Sequence, residues 1–306
     1  MALGQRPVTE PHGQGGYVEG SAQRSAGMLS RFRRGGAFRR LVSMSSWGIF
    51  SLFILVAVAA PLIAPYDPTA RGVGEPLLLP LSEGHLLGTD AFGRDQFSRL
   101  VWGSRPIIAV SLSSVALAAV VGSAVGLLAG YVGGILDLLL LRAMDALLSF
   151  PLILLAIMIV AALGPSLRNT ILAIAVALVP IFARLVRALA LRERSKEYVL
   201  AARAGGFGPW WIMLREIAPN VIGPVIVQAA ILVAVAAGYS SALSYLGLGT
   251  TPPTPDWGYM VKEGQEYLFD APDLAIIPGL LITAFATACS FIGDDLRDVL
   301  DPDRTL

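Results

Sequence analysis

Apolar residues in this chain fall in long unbroken blocks, with no strict alternation and no single helical stripe. Six such blocks lie at roughly 45–65, 106–130, 138–163, 169–190, 220–246 and 274–293. Each is near the ~20 residues a helix needs to cross a hydrocarbon layer. Open strands would leave backbone groups unpaired in lipid, so the blocks predict helices. The expected fold class is therefore all-α integral membrane, with six transmembrane helices. Residues 1–45 are rich in Gly, Ser and Arg and lack apolar periodicity, which predicts a disordered tail. The small residues Ala57, Ala59 and Ala60 suggest a signal-peptide cleavage region, but the tail ahead of them is too long for a leader's charged region. The first block is read as an uncleaved span.

Composition sharpens this picture. With 55% hydrophobic residues, 15% charged residues and a mean hydropathy of +0.67, a soluble domain is excluded. The net charge of +1 hides an asymmetry. With the N-terminus inside, the outer connections 66–105 and 247–273 and the short turn between spans three and four carry only Arg71, Arg94, Arg99, Arg105, Arg168 and Lys262. All other Arg and Lys fall on the opposite side. The positive-inside rule then places both termini and the polar island 197–220 of this multi-pass chain in the cytoplasm. One cysteine, Cys289, and two histidines, His12 and His85, give no disulfide and no metal cluster. No GxxxxGK[ST] phosphate loop and no nucleophile–base set occurs, so the chain is expected to be no enzyme, with no catalytic residue and no cofactor of its own. No nucleic-acid partner is expected. The spans hold few ionisable side chains at depth, which disfavours an ion-coupled carrier, the alternative from a different class.

Several local patterns carry further expectations. Glu197 to Ala204 can form two helical turns stopped by Gly205-Gly206, and Gly208-Pro209 can start a second short helix. The paired Ala201 and Ala202 would offer a flat surface that another protein's groove can accept, and Pro219 precedes the next apolar block. Gly122, Gly126, Gly130 and Gly134 recur every four residues and predict close helix packing. Thr89 or Asp90 could cap a short helix in the first outer connection, with Asp90 and Arg94 as an i,i+4 pair. Arg142 and Asp145 suit an i,i+3 salt bridge, and Arg184 and Arg187 suit snorkelling anchors. Ser240, Ser241 and Ser244 share a helical face, as either helix contacts or the lining of a polar route. Trp257, Tyr259, Tyr267 and Phe269 suit an aromatic interface belt.

Several strings resemble one family. The island EYVLAARAGGFGPWWIMLREIAPN is similar to the cytoplasmic "EAA" loop of binding-protein-dependent ABC importer permeases. The string LGTDAFGRD, holding Gly88, Thr89, Asp90, Gly93, Arg94 and Asp95, resembles the N-terminal region of dipeptide, oligopeptide and nickel permeases, the C-type subunit in particular. AGYVGG at 129–134, SYLGLG at 244–249 and GDDLRDVLDP at 293–302 resemble the same family, so the likeness runs from about Trp47 to Asp303. The chain departs from the pattern at Leu200, where the family has glutamate before the two alanines. It departs again at Glu216 and Ala218, where isoleucine and leucine are usual, and at Ser240, where many relatives carry glutamate.

The resemblance implies a type I ABC importer transmembrane domain in the inner membrane of a prokaryote, with a first span and extracytoplasmic loop over 46–105 and a permease core over 106–306. It implies a path shared with a homologous B-type permease, two cytoplasmic ATPase subunits that bind the ATP, and an extracytoplasmic substrate-binding protein that docks near the second outer connection. Glu197, Ala201, Ala202, Gly205, Gly206 and Pro219 would form the surface coupled to the ATPase. The cargo implied is a dipeptide or oligopeptide, with nickel or another small solute as the alternative within the family.

Overall fold

A computed structural model describes residues 36–82 and 84–300, with side chains from residue 43 onward. Its helices are α1 (Gly36–Ile63), α2 (Gln96–Val132), α3 (Gly134–Leu148), α4 (Leu152–Leu163), α5 (Leu167–Arg194) and α6 (Glu197–Ala204). A single turn, α7 (Pro209–Trp211), and a π-helical turn, Ile212–Ile217, follow. Then come α8 (Ala218–Tyr245), α9 (Trp257–Gln265) and α10 (Asp273–Leu300). Five stretches are long and apolar enough to cross a membrane, or six if the bent pair α3 and α4 counts as one. The protein is an all-helical multi-pass membrane protein. Among the described residues, those from Ser45 to Leu300 belong to one compact unit.

The boundaries differ from the sequence expectations in three places. The helical conformation of α1 already begins at Gly36, inside the predicted tail, because extending an established helix costs far less than starting one. Residues 1–35, the rest of that tail, and 301–303, the end of the familiar C-terminal string, lie outside the described residues. Next, α2 begins at Gln96, ten residues before the expected span. Arg99, placed by sequence in the outer connection, is neutralised by Asp90 and Glu263, and Arg105 donates to the Ala57 carbonyl at 2.7 Å, so the helix accommodates both. The third span is broken: α3 and α4 meet at 89° across Ser149-Phe150-Pro151. Pro151 has no N–H to continue the ladder and pushes Phe150 out of the helical region.

Helices α2 and α5 run parallel, and their contact is set by glycine. A Cβ added at Gly122 would lie 2.6 Å from both the Phe182 Cβ and the Val179 carbonyl, and one added at Gly130 would lie 2.8 Å from the Ala190 Cβ. Gly126 is crowded in the same way by the Ala183 carbonyl. The fourth member of the stripe, Gly134, meets nothing within 4 Å and starts α3 instead, so the packing seam is one turn shorter than the pattern suggested. Around this seam the core gathers Ile174, Leu178, Phe182, Leu243 and Phe285, with Phe53 of α1 edge-on to Phe285 at 5.5 Å.

The expected ion pairs form with different partners. Asp145 receives a 2.5 Å hydrogen bond from Arg184, one helix over in space, in place of a bond from Arg142. Arg187 grips Asp137 through both Nε and Nη2, at 2.6 and 2.7 Å. The two arginines read as snorkelling anchors thus clamp α5 to α3, because a planar guanidinium matches a carboxylate fork.

Candidate functional site

The 197–220 island sits where the α2–α5 seam ends. One face of α6 is anchored: Val199 is fully buried and Ala202 is buried against Tyr131, Val186, Ala190, Ile212, Met213 and Ile217. The Tyr198 hydroxyl donates to Glu193 Oε2 at 2.7 Å, and the Asn220 side-chain amide donates to the Tyr198 oxygen at 3.2 Å and to the Glu216 carbonyl at 2.7 Å. Burial, reinforced by the Glu193 carboxylate, pushes the Tyr198 hydroxyl up to about 12, so it stays a protonated donor at any ordinary pH. Arg203 lies over the Tyr131 ring at 4.9 Å.

The opposite face of α6 is open. Glu197, Ala201 and Gly205 are exposed, as is Leu200 where the motif resemblance implies glutamate. Of the paired alanines expected to share one surface, only Ala201 lies on it, because successive residues of a helix point about 100° apart and Ala202 turns into the bundle. The helix ends in a Schellman motif. Phe207 N–H donates to the Ala202 carbonyl at 3.2 Å, and Gly206 N–H donates to the Arg203 carbonyl at 3.0 Å. Gly206 carries the left-handed φ of +79°, whereas Gly205 stays at −75°. Of the two glycines expected to stop the helix, only Gly206 is conformationally required.

After the stop, the Phe207 and Trp211 rings stack at 4.1 Å, and Trp210 and Leu214 are 65% and 63% exposed. A set of exposed large apolar side chains, with Arg203 and Arg215 among them, therefore lies beside the open face of α6. Pro219 falls inside α8 and does not break it. The π-helical turn stands directly ahead of it, and such a widening relieves the crowding a proline ring imposes on the preceding turn. The stretch Pro209–Tyr245 is thus one continuous rod from the open surface into the bundle.

The 88–95 string lies at the other end of α2, and the structure turns it into a folded loop rather than a capped short helix. Asp95 is the helix cap, accepting from Ser98 N–H at 2.7 Å, and the Asp90 carboxylate instead accepts from the Phe92 and Arg94 N–H groups at 2.8 and 3.0 Å. The expected Asp90–Arg94 pair is present at 2.6 Å. The Thr89 hydroxyl donates to the Glu75 carbonyl at 2.5 Å and accepts from Leu78 N–H at 3.0 Å, while His85 Nδ1 meets Asp95 at 2.8 Å. Gly88 and Gly93 both take a left-handed φ and press against backbone of the 72–79 segment, where no side chain would fit.

This loop is joined to α9 by Arg94 together with Arg99 and Glu263, two residues that sequence reasoning did not single out. Arg94 and Arg99 reach Glu263 at 2.9 and 2.6 Å, and both also hold Asp90. Trp257, read from sequence as an interface residue, is buried: its indole N–H donates to the Leu100 carbonyl at 2.8 Å beside Gly103. An indole buried this way needs an acceptor, and α2 supplies one.

The three serines of α8 part company. Ser240 and Ser244 are buried, and Ser241 is half-buried, donating to the Ala237 carbonyl at 2.9 Å. The Ser244 hydroxyl donates to Asp256, which caps α9 by accepting from Gly258 N–H and also accepts from the Thr250 hydroxyl. Burial pushes the Asp256 carboxyl above its ordinary range, and these donors partly offset that rise.

Comparison with known proteins gives a consistent answer. Residues 122–305 match the family described as the binding-protein-dependent transport system inner membrane component. The dipeptide transport system permease protein DppC of Alkalihalophilus pseudofirmus is 42% identical over 254 residues, covering 83% of each chain. The di/tripeptide transport system permease protein DppC of Pseudomonas aeruginosa is 42% identical, covering 82% of this chain and 84% of the relative. The glutathione transport system permease protein GsiD of Pectobacterium atrosepticum is 37% identical, covering 86% and 88%. Among solved structures, an inward-facing form of the MetNI methionine ABC transporter shares the fold. It has a TM-score of 0.53 and 22% identity, over 66% of this chain and 96% of that one.

Proposed function

Because the chain belongs to the family of binding-protein-dependent transport system inner membrane components, we propose that it is one of two permease subunits of an ATP-driven importer, and that its cargo is a short peptide. Three features support the reading. Relatives covering more than four-fifths of the chain are named for dipeptides, di- and tripeptides and glutathione. Arginine placement favours a cytoplasmic 197–220 island. The observation that carries the most weight is the open face of α6, a small-residue helix held rigidly from behind by Val199, Tyr198 and Asn220.

In this reading a cytoplasmic ATPase subunit takes Ala201, Leu200 and the adjoining aromatic residues into a cleft. Motion of that cleft pulls on α6, and Asn220 and the Pro209–Tyr245 rod carry the pull into the bundle. A homologous B-type permease completes the path, a second ATPase serves it, and a substrate-binding protein docks at the α9 end. Nucleotide and loaded binding protein must each favour one conformation over the other for this cycle to turn. Co-purification tests the assignment: the chain extracted in mild detergent should bring a nucleotide hydrolase with it. A complete complex that contains no such subunit would overturn the reading.

A further inference from the structure

The ion network at the α9 end is unusual in how its charges are distributed. Asp90, Arg94 and Arg99 all belong to one stretch of chain, and each is at least nine-tenths buried. Glu263 is the one member contributed by α9, and its side chain remains 22% exposed. Each arginine bonds both carboxylates, so if Glu263 withdraws, neither is left bare, because Asp90 still holds both. Arg99 Nε is buried with no acceptor among the described residues. A cluster serving stability alone would do as well with apolar side chains of similar volume, since removing four charges from water costs about what their attraction returns.

These features have one mechanical consequence. Glu263 can leave at the cost of two charge-assisted bonds, and it already touches water. The loop side stays folded through bonds that do not involve α9: Thr89 to Glu75 and Leu78, His85 to Asp95, and Asp90 to its own turn. A cleft of about 180 Å³ is lined from both sides, by Arg94 and Arg99 on one and Tyr259, Lys262, Glu263 and Tyr267 on the other.

We propose that Glu263 is the detachable half of a latch: it joins α9 to the Asp90–Arg94–Arg99 loop in one state of the transport cycle and releases it in another. The latch rests on the importer reading only for what drives it. Its role is positional, since Glu263 acts through α9 and need not touch cargo.

The latch can be tested in the complete transporter in lipid, with the buried Cys289 replaced by Ala. Spin labels at Leu79→Cys and Phe269→Cys, both on exposed side chains, report the separation of the two sides. The latch predicts two separations whose populations change when a non-hydrolysable ATP analogue is added. Glu263→Gln should raise the ratio of long to short separation about tenfold, as loss of a charge-assisted bond implies. Glu263→Asp, which keeps the charge, should stay nearer the parent. A single separation in every nucleotide state of a complex that hydrolyses ATP would overturn the latch. So would a Glu263→Gln variant that melts earlier with its distance distribution unchanged. If no ATPase accompanies the chain, the importer reading fails, while the comparison of Glu263→Gln with the parent still tests the latch.

Discussion

The Ser244 hydroxyl lies 2.9 Å from Oδ2 of Asp256, linking the end of α8 to the cap of α9 through two buried side chains. A buried carboxylate with few donors is costly, and here each donor offsets part of that cost. Because burial raises the Asp256 pKa, the stability it contributes is fully present below the unfolded value and is lost as pH rises through the folded one. Removing a donor raises the folded pKa further. Ser244→Ala should therefore destabilise the protein by about 1–3 kcal/mol near neutral pH and by less in acid. Melting in detergent at two pH values reads this out, and an equal loss at both would contradict it.

The α2–α5 seam makes a sharp contrast possible between two glycines. Gly122→Ala places a methyl group 2.6 Å from the Val179 carbonyl, a backbone atom that cannot swing away, and should cost about 1–3 kcal/mol. Gly238 in α8 has nothing within 4 Å of its would-be Cβ, so Gly238→Ala should be neutral or stabilise by about 0.5–1 kcal/mol. Thermal unfolding of the two variants side by side decides the matter.

At the open face of α6, Ala201→Arg and Gly206→Asp should leave the protein inserted in the membrane but reduce ATPase co-purification about tenfold or more, the effect of a clash at the centre of an interface. Gly206→Asn is the control. Asparagine tolerates the left-handed φ of +79°, and nothing surrounds that position within 4 Å. Normal recovery of the ATPase with Ala201→Arg would count against this docking surface.

Tyr198→Phe removes the hydroxyl that holds Glu193 and receives Asn220, while leaving the ring in place. Docking should be retained. The ratio of cargo moved to ATP hydrolysed should fall several-fold, about what loss of one or two hydrogen bonds at a mechanical joint implies. Asn220→Ala should behave alike, and the double variant should show little further loss if the pair works as one unit. Proteoliposome uptake measured together with phosphate release tests both.

Some of this protein was legible in its residues alone. Block length and arginine placement gave a six-block all-helical membrane chain, because the cost of burying backbone and charge in lipid leaves few alternatives. The strings at 88–95, 197–220, 244–249 and 293–302 pointed to the family that the comparisons bear out. The four-residue glycine spacing announced a close helix contact, and the Asp90–Arg94 pair formed where i,i+4 geometry put it.

Long-range partner choice was a different matter. The sequence placed Asp145 opposite Arg142 because they are neighbours along one helix, yet Arg184 arrives from a neighbouring helix at 2.5 Å. Trp257 reads as an interface aromatic until its N–H is found on the Leu100 carbonyl. Arg99 was placed in the outer connection because nothing nearby in sequence shows Glu263, 164 residues away, holding it in α2. Local spacing fixes which groups can meet within a helix. Which helices stand side by side is set by packing over the whole bundle, and only the folded chain holds that information.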